Sequence, residues 1–429
     1  MIKQAFKRLW NDKRGNVLVI AGAALPMIIG SAGLATDTIQ WALWKRQLQR
    51  GADSAAIAGV YDRVYANGGT STVVAAVNTD LGKNSHVGIT LLAGYPQVEY
   101  PADTSVYAGA VKVTLQIQKT LAFSSVFMSS PPIIRVESTA ATIPTGVYCV
   151  VSLEDSSATG IKATGNSDID LGCGMITNST SLTAAIATGS SKVSATPIAA
   201  VGDIQESTNW GAAELLPFTV KEDDPFEDVA IPAFTACKGN SNKIFINAAG
   251  TYDRKAADSN KTICASDIDF QKGTITLGDN ATYIVDGGNF AVGSQAKVIC
   301  NGCTIVLTNS STAASPTIGN VDINAGAQLN MSAPTSGNFA GILIYQDRRA
   351  AAGVSEKNII NGHAAGLVQG AFYFPTRQLL INGTADLNLS CGQFVARTVD
   401  FAGSGKIANT CTGGYGSGAI LGRHVRLVA

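Results

Sequence analysis

The segment IKATGNSDIDL at residues 161–171 shows the pattern that decides the fold of most of this chain. A short apolar alternation leads into a glycine, and a second short alternation follows it. The pattern recurs in VDINAGAQLNM, LLINGTADLNL and VDFAGSGKI, at residues 321–331, 379–389 and 399–407. Each copy predicts a short strand, a corner at the glycine and another short strand.

The spacing of these corners indicates a repeating architecture. Gly362, Gly383 and Gly403 follow one another at intervals of 383 − 362 = 21 and 403 − 383 = 20 residues. A period of about 20 residues with short strands and no intervening helix is typical of a solenoid. We therefore expect residues 146–429 to form a right-handed parallel β-helix-like domain, in which each turn buries its inner face on the next. A β-sandwich is the alternative, although sandwich strands are usually longer.

One acidic, proline-containing stretch interrupts the repeat. It is DIQESTNWGAAELLPFTVKEDDPFEDVAIP, residues 203–232. We expect it to be a long insertion, or a strap that crosses the domain.

Composition limits the function classes. The chain has 429 residues, which suits two or three domains. Its 31 Lys and Arg balance 31 Asp and Glu, so the net charge is zero, which argues against a nucleic-acid partner. A hydrophobic fraction of 46% allows a large core, and the 45 glycines suit a mainly β fold with many turns.

The N-terminus predicts a membrane anchor. Residues 15–36 carry no charge, and about 20 helical residues cross a bilayer. The preceding tail, residues 1–14, is basic, so the positive-inside rule predicts a cytoplasmic tail and a large periplasmic domain on a single-pass inner-membrane protein. Two alternatives are a cleaved secretory signal ending at Gly33-Leu34-Ala35, and a buried core helix.

The helical pattern continues beyond the predicted span, so residues 37–61 are predicted to form a helical stalk. Asp37 and Thr38 are candidates to restart or cap the helix. Small residues at Ala52, Ala55 and Gly59 predict a face that approaches another helix closely. That face is interpreted either as a seam for a partner's helix or as packing against the chain's own domain.

Residues 62–145 predict a small α+β module. Val73, Val77 and Leu81 repeat at helical spacing, and residues 111–117 alternate as a strand. Residues 121–127 are predicted to form a short helix. No residue in this module suggests chemistry.

The N-terminal run resembles the signature of TadE/TadG-like proteins of the tight-adherence (Flp) pilus-assembly system. The matching residues are Arg14, Gly15, Asn16, Gly33, Asp37, Trp41, Arg46, Leu48, Gln49, Asp53 and Ala56. Ile20 stands where a cleaved pseudopilin of this kind would carry Glu, which favours a retained, TadG-like anchor. The resemblance implies a non-enzymatic structural component of pilus assembly, with pseudopilins or other machinery as partners and possible homo- or hetero-oligomers.

All eight cysteines follow the predicted membrane segment, which implies disulfides in an oxidising compartment. Eight cysteines allow 105 connectivities. Sequential pairing is the most economical for a solenoid, because neighbours in sequence share a turn or adjacent turns. It gives Cys149–Cys173, Cys237–Cys264, Cys300–Cys303 and Cys391–Cys411. The CxxC at Cys300 could alternatively be a redox pair or half of a zinc site, but its flanks predict strands rather than the helix that activates a thiol.

The sequence contains two candidate sites of other kinds. Asp155 begins a D-x-S-x-S pattern that some metal-binding domains use, yet a glycine-corner repeat follows it instead of a helix. The second is a charged cluster, Asp347, Arg348, Arg349, Glu356 and Lys357 with His363 nearby. This cluster indicates an alternative function, that of an envelope-anchored protein that binds or cleaves polysaccharide. We expect no catalytic residue, metal or cofactor.

Overall fold

A computed structural model describes residues 15–65, 68–84, 89–237, 242–361, 364–383, 386–412 and 414–428. The chain divides into two compact units, Met1–Ile143 with Val425–Ala429 (unit 1) and Pro144–His424 (unit 2). This division falls two residues before the predicted boundary at 145/146. The predicted basic tail, with Gly362 and His363, lies outside the described residues.

Unit 1 begins with one long helix, α1, Gly15–Tyr65. Its 51 residues span roughly 75 Å at the usual helical rise, and it runs through Pro26 without ending. The predicted span and stalk are therefore parts of one helix, and no cap occurs at Asp37. The remaining elements are α2 (Thr70–Lys83), β1 (Gln97–Glu99), β2 (Ala108–Gln118), a 3-10 turn η1 (Ser124–Val126) and β3 (Ile133–Ser152), of which the part up to Ile143 belongs to unit 1.

The strands of unit 1 form an antiparallel sheet. β1 pairs with β2, and β2 pairs with β3 from Ala108 opposite Thr142 to Gln118 opposite Ile133. The β2 segment AVKVTLQI alternates, so Val111, Val113 and Leu115 point into the core and are fully or almost fully buried. The predicted helix near Val73, the strand over 111–117 and a short helical turn within 121–127 are all present.

Unit 2 is built from short strands. They are β4 (Ile161–Ala163), β5 (Asp168–Asp170), β6 (Gly174–Thr177), β7 (Ala185–Ala187), β8 (Lys192–Ser194), β9 (Ile198–Ala200), β10 (Leu215–Leu216), β11 (Ile244–Ile246), β12 (Thr251–Asp253), β13 (Thr262–Ala265), β14 (Ile268–Thr276), β15 (Thr282–Asp286), β16 (Phe290–Asn301) and β17 (Thr304–Thr308). They continue as β18 (Val321–Ile323), β19 (Gln328–Ser332), β20 (Ile342–Gln346), β21 (Gly353–Asn361), β22 (Ala364–Asn382), β23 (Leu387–Phe401), β24 (Lys406–Thr410) and β25 (Ile420–Leu427). A 3-10 turn, η2 (Thr208–Trp210), and a short helix, α3 (Lys255–Asp258), complete the described elements.

Strands of unit 2 pair in parallel, one turn of chain apart. β4 pairs with β7, β5 with β8 and β6 with β9, and Ile161 lies opposite Ala185. Further on, β22 pairs with β23, and Leu380 lies opposite Asp400. Parallel pairing across short strands is what the repeat predicts, and a β-sandwich, which is antiparallel, does not show it. The chain is thus mainly β with an N-terminal apolar helix, as expected.

The order of strands in the stack differs from their order in the sequence. The stack starts at β11 and proceeds through β14, β16, β18, β21 and β22 to β23. The earlier strands of the chain then continue it, since β23 pairs with β4 and β24 with β5. The stack ends at β10, which pairs with β9. The chain must therefore return from β10 to β11 along the whole stack.

Residues 217–237, which we call the strap, make that return. The Asn178 side-chain amide donates to the Glu222 carbonyl and accepts the Glu222 N–H, both at 2.8 Å. At the other end of the strap, Cys237 forms a disulfide with Cys264. Between them Phe226 is buried on an apolar outer face that includes Tyr373 and Tyr345. The predicted 203–232 segment is thus partly a strap, but its first part still contributes η2 and β10.

The inside of the stack is a continuous apolar core. Aromatic side chains of successive turns stack there, as Phe372 and Phe394 do with ring centroids 5.4 Å apart. Phe270 and Phe290 meet edge to face at 6.3 Å. Each turn buries its inner side chains against the next turn, so the stack is stabilised by contacts between neighbours in space.

Candidate functional site

The apolar half of α1 is exposed in the structure. Over Val19–Val64, α1 is long and apolar enough to cross a membrane, and no residue of its most apolar stretch is buried. Val19 is 70% exposed, Met27 77% and Ile28 64%. An exposed apolar helix of this length fits a membrane anchor.

A contact near the end of the predicted span joins α1 to the turn η1. Gly33 has no side chain, and the ring of Phe123 occupies the space that a Cβ there would need. The same ring lies 4.0 Å from the Cβ position of Gly30. The two glycines, one helical turn apart, therefore form a notch that receives Phe123.

Asp37 fastens the same turn. Its carboxylate accepts the Phe123 N–H at 3.1 Å, the Ser124 N–H at 2.5 Å and the Ser124 hydroxyl at 2.7 Å. Asp37 is 4% exposed, and its carboxylate satisfies the backbone N–H groups at the start of η1. Asp37 thus caps a distant turn instead of its own helix, which corrects the predicted helix restart. The sequence offered no signal for Phe123 and Ser124 as its partners.

The small-residue face of α1 lies inside unit 1. Ala52 and Ala55 are fully buried, and a Cβ at Gly59 would lie 2.9 Å from Val111 and 3.2 Å from Val77. The face therefore packs on α2 and β2 of the same chain. The prediction that Ala52, Ala55 and Gly59 contact a partner's helix is wrong for this structure, and the alternative of packing on its own domain holds, because small residues let the three elements approach closely.

The cysteines meet in the four sequential pairs. Cys149 and Cys173 have Cα atoms 5.8 Å apart, Cys237 and Cys264 5.6 Å, Cys300 and Cys303 5.9 Å, and Cys391 and Cys411 4.2 Å. Cys300 and Cys303 are buried and flanked by strands β16 and β17, without a helix N-terminus to activate a thiolate. This setting suits a structural disulfide.

Asp286 lies beside one of these disulfides. Cys237, Cys264 and Asp286 each place a potential ligand atom within 4.8 Å of the others. The two sulfurs are bonded to each other, so they offer no thiolate to a metal. The Asp286 carboxylate accepts the backbone N–H groups of Cys237 at 3.0 Å and Ser310 at 2.7 Å. Its role here is to hold the end of the strap.

Residues of the charged cluster at 347–357 are engaged in internal contacts. Asp347 is 4% exposed, pairs with Arg349 at 2.7 Å and accepts the Thr308 hydroxyl at 2.7 Å. Burial alone would raise the pKa of Asp347, but the hydrogen bonds from Arg349 and Thr308 outweigh burial and lower it. Glu356 accepts a hydrogen bond from Asn320 at 2.8 Å. A catalytic pair needs two carboxylates at one open face, and Asp347 does not lie at one.

Arg348 faces the strap. Its guanidinium donates to Asp224 at 3.3 Å, to the Tyr345 hydroxyl at 2.8 Å and to the Val229 carbonyl at 3.4 Å. It also bonds the Phe226 carbonyl and lies 5.2 Å from the ring centre of Tyr373. The densest charge cluster of the domain is therefore a strap anchor and an internal network.

The D-x-S-x-S pattern forms an exposed turn. The Asp155 side chain is 69% exposed and pairs with Lys221 at 3.4 Å, while the Ser156 hydroxyl accepts the Ala158 N–H at 3.2 Å. A strand, β4, follows it instead of a helix. The arrangement of these residues does not bring metal ligands together.

Glu222 on the strap gives a pH-dependent prediction. Burial raises its pKa to about 7, with Arg423 lowering it and Asp223 raising it. Because the folded-state pKa lies above the unfolded one, the folded state holds the proton more tightly, and stability is lost as pH rises between about 4.5 and 7. We expect Glu222→Gln to match the wild type at pH 4 and to exceed its unfolding free energy at pH 8 by at most about 3 kcal/mol.

Denaturant unfolding of the full chain in detergent, repeated across this pH range, measures the difference. Glu227→Gln is the matched control, because it makes the same chemical change on the strap at an exposed position. A Glu222→Gln advantage that is the same at both pH values would contradict the assignment.

Comparison with known families now adds to this geometry. A family model described as putative Flp pilus-assembly TadE/G-like matches residues 15–63. Comparison with curated proteins and comparison with solved structures each give no match. The matched range coincides with α1 and includes Gly33 and Asp37. Residues 15–63 therefore carry a TadE/G-like pilus-assembly segment, which confirms the family resemblance found in the sequence.

Proposed function

We propose that this protein is a membrane-anchored structural component of Flp pilus assembly that acts through protein–protein contacts. One observation carries the proposal: the TadE/G-like match covers α1, whose first half is an exposed apolar helix. A retained helix of this length holds the rest of the chain at the membrane surface. Its partners are pseudopilins or other proteins of the pilus machinery.

The anchor lies in the inner membrane, with the N-terminus in the cytoplasm and the large unit in the periplasm. The basic tail, residues 1–14, supports this orientation, since positive charge stays on the cytoplasmic side. The four disulfides support it as well, because they persist in an oxidising compartment. All of them lie in unit 2.

Unit 2 serves as a rigid body, and we assign it the fold of a right-handed parallel β-helix. Parallel pairing at steps such as Ile161 opposite Ala185, and corner glycines on successive turns, support that fold. Stacked turns make an elongated surface suited to binding extended partners.

The protein works by contact rather than by catalysis. The densest cluster of charged residues, around Asp347 and Arg348, is occupied with internal ion pairs and with holding the strap. Buried and paired groups of this kind stabilise the fold and offer no free acid or base to a substrate.

Photo-crosslinking in cells tests the assembly role. Ile39 is 61% exposed and Leu43 49% exposed, one helical turn apart on α1 and just beyond the span. A photo-reactive amino acid at either position is expected to give adducts with pilus-machinery proteins, identified by mass spectrometry. Ala55 is the control position, because it is fully buried within unit 1 and should give adducts only within the chain.

The outcomes separate clearly. Pilus proteins captured from positions 39 and 43, and not from 55, support the role. Adducts restricted to the chain itself at all three positions would contradict it.

A further inference from the structure

The loop of unit 1 between β2 and β3 is apolar and exposed. Val126 is 75% exposed, Phe127 76% and Met128 46%, and Ile133 at its end is 53% exposed. Residues 120–134 carry no charge, whereas Lys119 and Arg135 bound them on either side. A patch of this kind on the surface of a folded module marks a contact with an apolar partner.

The notch on α1 sets the depth of this loop. Phe123 lies against Gly33 and Gly30, which belong to the uncharged span at residues 15–36. Those glycines lie roughly 6 to 11 Å along the helix axis from Asp37, the first charged residue after the span. The Phe127 ring, with its centroid 5.5 Å from that of Phe123, is held close to the same level. The loop therefore lies at the level of the uncharged span, which is the segment proposed to cross the membrane.

Asp37 secures the loop at that depth. Three hydrogen bonds from Phe123 and Ser124 to one carboxylate hold the start of η1 beside the end of the span. Phe123 lies in the notch, whereas the apolar side chains from Val126 to Met128 are left exposed by the described residues of unit 1. In the proposed membrane anchor, the end of the span lies in the interfacial region of the bilayer, where aromatic and apolar side chains are favoured.

We propose that this loop, residues 121–133, inserts into the lipid leaflet in which the span ends, and so gives unit 1 a second membrane contact besides α1. The inference rests on the proposed membrane anchor. Lipid is the occupant because the uncharged stretch of the loop packs, through Phe123, on Gly33 and Gly30 of the uncharged stretch of the helix. Two contacts fix the tilt and rotation of unit 1 on the membrane, which a single helix does not.

Quenching by brominated lipid tests the insertion. The full chain is reconstituted in phosphatidylcholine vesicles with a genetically encoded fluorescent amino acid in place of Phe127. We expect brominated acyl chains to reduce its emission by roughly half, as for groups seated at the headgroup–acyl boundary. The control label replaces Val106, which is also apolar and 67% exposed. Val106 is three residues from Gly109, whose Cβ position lies 2.7 Å from Val64. Val64 is roughly 40 Å along α1 from Asp37, so the label at 106 should not be quenched.

A matched pair of glycine variants tests the notch. Gly33→Leu displaces the Phe123 ring, whereas Gly22→Leu adds the same side chain at a position with nothing within 4 Å. We expect Gly33→Leu to relieve the quenching of the label at 127 and Gly22→Leu to leave it unchanged.

Each result decides the matter. Quenching at 127 and not at 106 supports the insertion. Equal emission in brominated and plain lipid, with the chain resisting alkaline carbonate extraction, would overturn the loop inference and leave the anchor intact. Extraction of the chain by carbonate would overturn the anchor as well. Capture of a protein, rather than lipid, by a photo-crosslinker at 127 in cells would overturn lipid as the occupant.

Discussion

Gly165→Val should destabilise unit 2 more than the same change at a positive-φ glycine whose Cβ position is open. Gly383, Gly403, Gly165 and Gly189 form a ladder of corners on successive turns. A Cβ on Gly165 would lie 2.7 Å from the Gly403 carbonyl oxygen, and a Cβ on Gly189 2.7 Å from that of Gly165. Backbone hydrogen bonds join the same corners. The Asn166 N–H donates to the Gly403 carbonyl and the Ser190 N–H to the Gly165 carbonyl, both at 2.8 Å.

Two costs add at this position. Gly165 has φ +75°, a left-handed conformation that costs a side-chain-bearing residue about 1–2 kcal/mol. Displacing the neighbouring turn adds about 1–3 kcal/mol. We therefore expect a loss of about 2–5 kcal/mol in unfolding free energy, measured by denaturant titration of the full chain in detergent.

Gly337→Val isolates the first cost. Gly337 has φ +88°, and nothing lies within 4 Å of its Cβ position. It should lose only the conformational part, about 1–2 kcal/mol. Equal losses for the two variants would show that the corners are not stacked as described.

The second large effect is expected from Arg348→Ala, which should release the strap. The guanidinium bonds Asp224, Val229 and the Phe226 carbonyl, all on the strap. Removing it takes away the ion pair of Asp224, whose carboxylate keeps only the hydrogen bonds from the Tyr373 hydroxyl and the Phe226 N–H among the described residues. Breaking a partly buried network of this kind costs about 2–4 kcal/mol, which raises the open population of the strap by roughly 30- to 1000-fold.

Limited proteolysis by chymotrypsin at Phe226 measures that opening, since cleavage follows the open population when reclosing is fast. Arg349→Ala is the matched control. Arg349 pairs with Asp347 and with the carbonyls of Asn309 and Ser311, none of which lies on the strap. Equal cleavage rates in the two variants would contradict the role of Arg348 as the strap anchor.

Local sequence patterns predicted the strands and corners of unit 2, because each corner depends on a glycine and the few residues beside it. Gly165, Gly326, Gly383 and Gly403 stand between short strands as the repeat predicts, and each has a positive φ. The spatial order was not predictable in this way. Pairing of β23 with β4 joins residues far apart in sequence, and no local pattern encodes which turn meets which.

The same limit applies to the N-terminal site. Hydropathy alone predicts the membrane helix, and the family signature includes Gly33 and Asp37. Their partners, Phe123 and Ser124, are 86 to 90 residues away, in a loop without any recognisable motif. Small residues on a helix likewise predict close packing but not the identity of the neighbour, so Ala52 and Ala55 suggested another chain where their own α2 and β2 lie.

The central claim, a structural role in pilus assembly, is tested most directly by deleting the gene in the bacterium that carries it and counting surface Flp pili by electron microscopy. The account predicts that pili are lost, and that the full chain restores them when supplied on a plasmid. Wild-type numbers of pili in the deletion strain would contradict it.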